Sequence, residues 1–347
     1  MDSLGGAEFA PQTTYLNTAS EGLAPARAMA ALRAGLDNAA LGRPSDDGGG
    51  RAVEAVRATF ARLAGVSEQR VALGGSVALH VGLIAAALPA GSEVLVADGD
   101  FSSLVNPFAM RADLKLRSVP LDELAEAVRP GTAMVAVSSV QSADGRVADL
   151  AAIRAAARAH GARTLVDATQ SAGWLPLNAD DFDYTVVGAF KWLLCPRGIS
   201  FLVVPRDSSE LTPIFAGWVA GEDPWESCYG PVEHLARSAR RFDQSHAPMG
   251  YLAAEPTLAL IEELGPETIG AHDMGLAARF RTGLAALGRE PVPGESAIVA
   301  VPGLGHAEDR LTRAGVRVSV RAGNLRAAVH LYNTSADVDR ILEVLAE

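Results

Sequence analysis

Arg163-Thr164-Leu165-Val166-Asp167-Ala168-Thr169-Gln170 and, fourteen residues later, Tyr184-Thr185-Val186-Val187-Gly188-Ala189-Phe190-Lys191 are the segments around which the chain reads. In each, a short apolar run rich in β-branched residues stops on a polar group: Asp167 in the first, Lys191 in the second. Runs of this length and composition read as buried strands. Two such strands about one βαβ half-unit apart bring a carboxylate and a lone lysine to the carboxyl edge of one sheet, where open α/β sheets bind ligands. A single Asp or Lys at a strand end is ordinarily a cap or a solvated edge residue. The pair together carries the chemistry.

Pyridoxal 5'-phosphate (PLP) uses such a pair, a lysine to join the aldehyde and a carboxylate to keep the pyridine nitrogen protonated. The spacing Asp167-x-x-Gln170, then Phe190-Lys191-Trp192, then Pro196-x-Gly198 leading into Ile199–Val204 resembles the class V aminotransferase family of fold-type I PLP enzymes. That family includes cysteine desulfurases, kynureninase and isopenicillin N epimerase. The resemblance implies an α/β fold of the fold-type I transferases: a large PLP-binding domain over 15–244 with a mainly parallel, seven-stranded-type sheet. A small α+β domain would be built from 1–14 and 245–347. It also implies that Lys191 is the Schiff-base lysine, that Asp167 pairs with the pyridinium and that Gln170 contacts O3' of the cofactor.

With 347 residues and 49% hydrophobic content, the chain is long enough for two domains and a large core. A formal net charge of -11 with no basic block argues against nucleic acid or an anionic membrane as partner and for a small molecule. Cys195 and Cys228 form neither a CxxC pair nor part of a His cluster, so no metal site and no disulfide framework is expected, and the cytoplasm fits best. Neither a signal peptide nor an apolar run long enough to span a bilayer is read.

Toward the N-terminus, Tyr15–Gly22 is extended and Pro25 opens a helix over 26–41. By resemblance this entry segment passes the substrate, with Ala19 and Ser20 lining the site. The polar, glycine-rich stretch 42–51 reads as a mobile loop, followed by a helix over 52–64. A strand at Val71–Leu73 runs through Gly74-Gly75-Ser76-Val77 into an apolar helix over 78–88. Free N–H groups, a helix dipole and a hydroxyl converge at such a junction, so Gly75, Ser76 and Val77 are assigned the cofactor phosphate, although an ordinary N-cap gives the same pattern. The strand Ser92–Ala97 leads to Phe101, at the position where the family stacks a residue, often His, on the pyridine ring. The strand 133–137 leads to Ser138-Ser139-Val140-Gln141-Ser142, which resembles the family's Ser-His-Val segment, and there Gln141 is a better candidate than Ser142 for a cofactor contact.

Toward the C-terminus, residues 213–230 form a long excursion with Phe215, Trp218, Trp225 and Tyr229 available to cover a surface. Arg241-Phe242-Asp243-Gln244-Ser245-His246 resembles a segment that, in the family, reaches across a homodimer interface to the partner's phosphate; either Ser245 or His246 could serve. Helices at 251–264 and 266–287, strands near 296–301, 316–320 and 326–331, and a last helix capped by Ser335 complete the small domain. The segment from Arg326 to Thr334, ending Tyr332-Asn333-Thr334, resembles the signature whose Arg binds the substrate α-carboxylate; Arg321 is the second candidate. No Cys lies between Arg321 and Arg326, where desulfurases of the family carry their nucleophile, so a persulfide mechanism is disfavoured. Most consistent is an enzyme acting at the α-carbon of an amino acid, foremost a class V aminotransferase. A C–S or other β-elimination lyase and an epimerase are the alternatives, and a noncatalytic PLP-binding protein or a cofactor-free relative of the fold is least so.

Overall fold

The computed structural model describes residues 2–43 and 50–347. After a short strand, β1 (Thr14–Tyr15), Pro25 precedes helix α1 (Ala26–Ala40) and supplies its fixed φ at the entry. The centre of the loop expected over 42–51 lies outside the described residues. Gly50 and Arg51 already belong to α2 (Gly50–Leu63), which buries Val53, Val56 and Phe60 along one face.

The main sheet is then laid down in sequence. β2 (Val71–Gly74) turns through Ser76 into α3 (Val77–Ala87), and β3 (Glu93–Ala97) leads to α4 (Ser102–Ala109) and the edge strand β4 (Lys115–Val119). β5 (Thr132–Ser138) is followed by α5 (Leu150–His160), β6 (Arg163–Asp167), β7 (Tyr184–Gly188) and β8 (Ser200–Val203). The spatial order is β2-β8-β7-β6-β5-β3-β4, seven strands in all. The pairings from β7 to β4 are parallel, and β8 runs antiparallel to both of its neighbours. Every residue of β2, β3, β7 and β8 is buried, because helices cover both faces; this is why these strands read as unbroken apolar runs rather than alternating ones. β4 alone is largely exposed, and its Lys115 and Arg117 protect the sheet edge.

The C-terminal part carries α6 (Pro248–Leu264), α7 (Pro266–Ala286), β9 (Ile298–Val301), α8 (Glu308–Arg313), β10 (Val316–Arg317), β11 (Ser319–Arg321), β12 (Asn324–Ala328) and α9 (Ser335–Ala346). β11, β12 and β9 form an antiparallel sheet, with a tight turn at Ala322-Gly323, both at positive φ. β1 pairs in parallel with β10 and Asn17 bridges Ala328, so residues 14–17 run beside the C-terminal strands. The cap of α9 is Thr334 and not Ser335: its hydroxyl and the Asp337 carboxylate each take the other's backbone N–H, a full capping box.

Candidate active site

Where β5, β6 and β7 end at their carboxyl edge, the chain opens into a cavity of about 210 Å³. Lys191, Asp167, Gln170, Phe101 and the Gly75-Ser76-Val77 turn all line it, so residues drawn from four strand ends converge on one space.

Lys191 follows β7 on a tightly tied turn. The Phe190 carbonyl accepts from Gly22 N–H at 2.9 Å, and the Lys191 carbonyl from Leu194 N–H at 3.2 Å. Gly22 packs so closely that a Cβ there would sit 2.1 Å from the Lys191 carbonyl oxygen, which explains a glycine at that position. Of the two lysines in the sequence, Lys115 lies on the exposed edge strand and Lys191 is buried. Burial is the main force lowering its pKa, to about 8; the charges of Arg326, Arg197 and Arg321 add to this, and Asp167 opposes it. Its Nζ lies 5.1 Å from the centre of the Phe101 ring and 5.5 Å from that of Phe190. Phe101 is 45% exposed, so it is a wall of the cavity and not core.

Asp167 ends β6 with its carboxyl buried, and the Thr169 N–H donates to Oδ1 at 2.9 Å. Burial raises its pKa against the lowering effects of Thr169 and Lys191. A cation beside it would relieve that desolvation. Gln170 reaches the cavity with its amide already engaged: Nε2 donates to the Ala19 carbonyl at 3.0 Å and to Ser142 Oγ at 2.9 Å, and Oε1 accepts from the Trp192 indole at 2.8 Å. Ala19 therefore acts through its carbonyl. Ser76 caps α3, accepting from Leu79 N–H at 3.4 Å, and leaves the N–H groups of the first turn without intrahelical acceptors. Gly75 N–H is turned to Gln244 Oε1 at 3.3 Å.

Other expected site residues lie off this wall. Gln141 points to Asp100, donating to Oδ2 at 3.1 Å, and the cavity is instead lined by Ser138 and Ser142 from the same segment. Arg326 is buried to 1% exposure. Its Nε donates to Ser319 Oγ at 3.1 Å, Nη1 to the Ser142 carbonyl and Oγ, and Nη2 to Ser20 Oγ at 2.8 Å. Arg321 is exposed and donates to the same Ser20 hydroxyl at 3.3 Å. Neither guanidinium has a carboxylate partner among the described residues, and burial together with Arg321 lowers the Arg326 pKa to about 10. Ser245 and His246 line a second cavity beside Trp218 and Trp225, and His246 Nε2 is held to the buried Asp243 carboxylate at 3.1 Å.

Sequence reasoning missed Asp100, Ser138 and Arg197. Asp100 ties the loop carrying Phe101 to β5 by accepting from Ser138 N–H at 2.8 Å and Ser138 Oγ at 2.5 Å. Arg197 stacks on Phe190 at 4.2 Å and pairs with Glu21 at 3.2 Å. Among the described residues no cluster of His, Cys, Asp and Glu could hold a metal ion, and no helix is long and apolar enough to cross a membrane.

Comparisons with known proteins bear on the family and the fold. An uncharacterised aminotransferase of Bacillus subtilis is 26% identical over 315 residues, covering 84% of this chain and 83% of its own. Isopenicillin N epimerase of Streptomyces clavuligerus is 28% identical over 330 residues, covering 83% and 82%. Among solved structures, the cystine C–S lyase C-DES superposes with a TM-score of 0.87 at 23% identity over 97% of this chain and 98% of its own, a likeness of fold. Residues 46–341 match the family described as aminotransferase class-V. Taken with a lysine and a carboxylate at the edge of a seven-stranded sheet, that match makes this chain a member of the class-V aminotransferases, enzymes dependent on PLP.

Proposed function

We propose that the enzyme exchanges the amino group of an α-amino acid with a keto acid, with Lys191 joining the cofactor and moving the α-proton. The observation that carries this reading is the placement of Lys191, buried and one strand away from the buried Asp167; that burial lowers its pKa to about 8. An amine in that range takes up and returns a proton near neutral pH. PLP, when bound, supplies the electron sink at the α-carbon. Asp167 offers a buried negative charge suited to a protonated ring nitrogen, and Phe101 an apolar face for the ring. The α3 N-terminus with Gly75, Ser76 and Val77 suits the phosphate. Arg326, without a carboxylate partner among the described residues, suits the substrate's α-carboxylate, with Ser20 orienting it.

Transamination is favoured over epimerisation and over sulfur transfer by what lines the cavity. Among its described lining residues there is no His, Cys, Tyr or Glu. A single amine can shift a proton along one face, whereas a two-base epimerase needs a second acid and a desulfurase a thiol. We further propose a homodimer. Ser245 is exposed and lines an apolar cavity with Trp218 and Trp225, as expected of a face covered by a second copy, and its hydroxyl is the better candidate for the partner's phosphate because His246 Nε2 is committed to Asp243. The free thiols of Cys195 and Cys228 support a reducing, cytoplasmic setting.

The test supplies single amino acids to the PLP-loaded enzyme with and without a keto acid acceptor. Keto acid production that requires the acceptor is expected. Ammonia released without an acceptor would make it a lyase, and α-hydrogen exchange with inversion but no keto acid would make it an epimerase.

A further inference from the structure

His330 lies far from the cavity in sequence and is absent from its lining, yet it grips the turn that carries Lys191. It is completely buried. Nδ1 lies 2.8 Å from Asp273 Oδ2, and Nε2 lies 2.9 Å from the carbonyl oxygen of Trp192, the residue after Lys191. Both partners are acceptors: a peptide carbonyl accepts only, so Nε2 must carry its proton, and the proton between Nδ1 and Asp273 is shared by that pair. The ring is also fixed edge-on to Trp192 at 5.1 Å and Tyr332 at 5.8 Å, while its own backbone N–H donates to Asn333 Oδ1 at 2.9 Å.

The turn it grips is under strain. Leu194, a buried non-glycine residue, sits at φ 56, a left-handed conformation that persists only where its surroundings over-determine it. The bonds around it include those from Leu194 N–H to the Lys191 carbonyl, from Gly22 to the Phe190 carbonyl, from Cys195 back to Ala189, and from His330 to Trp192. The last of these is made by a side chain from the C-terminal part of the chain. Trp192 in turn donates its indole N–H to Gln170, so the same residue connects His330 to the cavity wall.

We propose that His330 is a positioning residue for Lys191: backed by Asp273, its Nε2–H holds the Trp192 carbonyl and so sets where the lysine amine stands. This rests on Lys191 being the lysine that joins the cofactor, but the hydrogen bond can be tested without that reading. In protein labelled with ¹⁵N-histidine and ¹³C-carbonyl tryptophan, a coupling across the hydrogen bond between an imidazole nitrogen and a tryptophan carbonyl is expected; its absence overturns the proposal before any variant is made. For the consequence, Asp273→Asn removes the buried carboxylate and serves as the reference. Adding His330→Phe keeps a ring in place and removes only the donor. The double variant should still take up PLP and turn yellow, with kcat about ten- to a hundredfold below the reference, KM little changed and the pH midpoint of the visible band displaced. A double variant matching the reference in kcat and in that midpoint would reduce His330 to packing and overturn the proposal. A wild type that shows the coupling but never binds PLP would instead sink the reading of Lys191.

Discussion

Replacing Arg326 by lysine keeps a positive charge and removes the planar fork. In the wild type, Nη1 is anchored on Ser142 and Nη2 on Ser20, with Nε on Ser319, so the guanidinium is held flat by three hydroxyls and a carbonyl at 1% exposure. These contacts use four of the five guanidinium N–H groups, so two parallel bonds to a carboxylate come from the free Nη2 N–H and one Nη1 N–H released from Ser142, a planar pair that a single ammonium cannot present. Loss of one partner of a buried, hydrogen-bonded charge pair costs about 2–5 kcal/mol, much of it from the partner left unpaired. At 1.36 kcal/mol per decade, kcat/KM for amino acids should fall by about 30-fold to 5,000-fold, chiefly through KM. The assay is initial rate against amino-acid concentration, with the visible spectrum of the PLP-loaded variant as the check that the cavity is intact. Wild type should also act poorly on the corresponding decarboxylated amine, and the variant should discriminate little between amine and acid. A variant with wild-type kcat/KM and wild-type preference would refute the assignment, and a matching loss in Arg321→Lys would move the carboxylate to Arg321.

Asp167→Asn should still bind PLP and show a visible band but lose most turnover, because a neutral amide cannot hold a ring nitrogen protonated; unchanged turnover would remove Asp167 from the chemistry. The cofactor-free protein should be least stable, relative to its Lys191→Met variant, below pH 8. With the folded pKa near 8 and the unfolded value near 10.5, the unfolded chain binds more protons between them, so wild-type stability rises with pH across that window. The deficit of about 3 kcal/mol at pH 7 should vanish above pH 10.5 in urea melts, and a constant difference would mean that Lys191 is not desolvated. Mixing Lys191→Ala chains with Ser245→Ala chains should restore activity beyond either alone if Ser245 serves the partner's site; no recovery in mixed dimers would place Ser245 outside it.

The parts of the fold that announce themselves in the sequence are those where a single requirement dominates. β6 and β7 are buried on both faces, so their apolar runs and the charges that end them are unmistakable, and the hydroxyl of Ser76 before an apolar helix marks the start of α3. β4 and α4 escaped notice for opposite reasons. Lys115-Leu116-Arg117-Ser118-Val119 is an edge strand that shows charge instead of an apolar run, and α4 is short and carries Pro107 within it. At the site, Asp167 was legible because it ends β6 and Lys191 because it follows closely on the apolar run of β7, whereas Gln141 and Ser142 differ only in which way a local turn points them. Asp100 gives no local sign in the sequence of its tie to Ser138, which lies 38 positions away. The contact of His330 with Trp192 joins residues 138 positions apart, and nothing local to either signals it.

Lys191 is one of only two lysines in the chain, so its role can be tested in one measurement. The PLP-loaded protein is reduced with borohydride, digested and mapped by mass spectrometry. The mass of the reduced cofactor should appear on the peptide containing Lys191, at one equivalent per chain, and be lost in Lys191→Ala. A label on Lys115 or the N-terminus alone, or no label on a protein that turns over amino acids, would contradict the assignment of Lys191 and with it the mechanism.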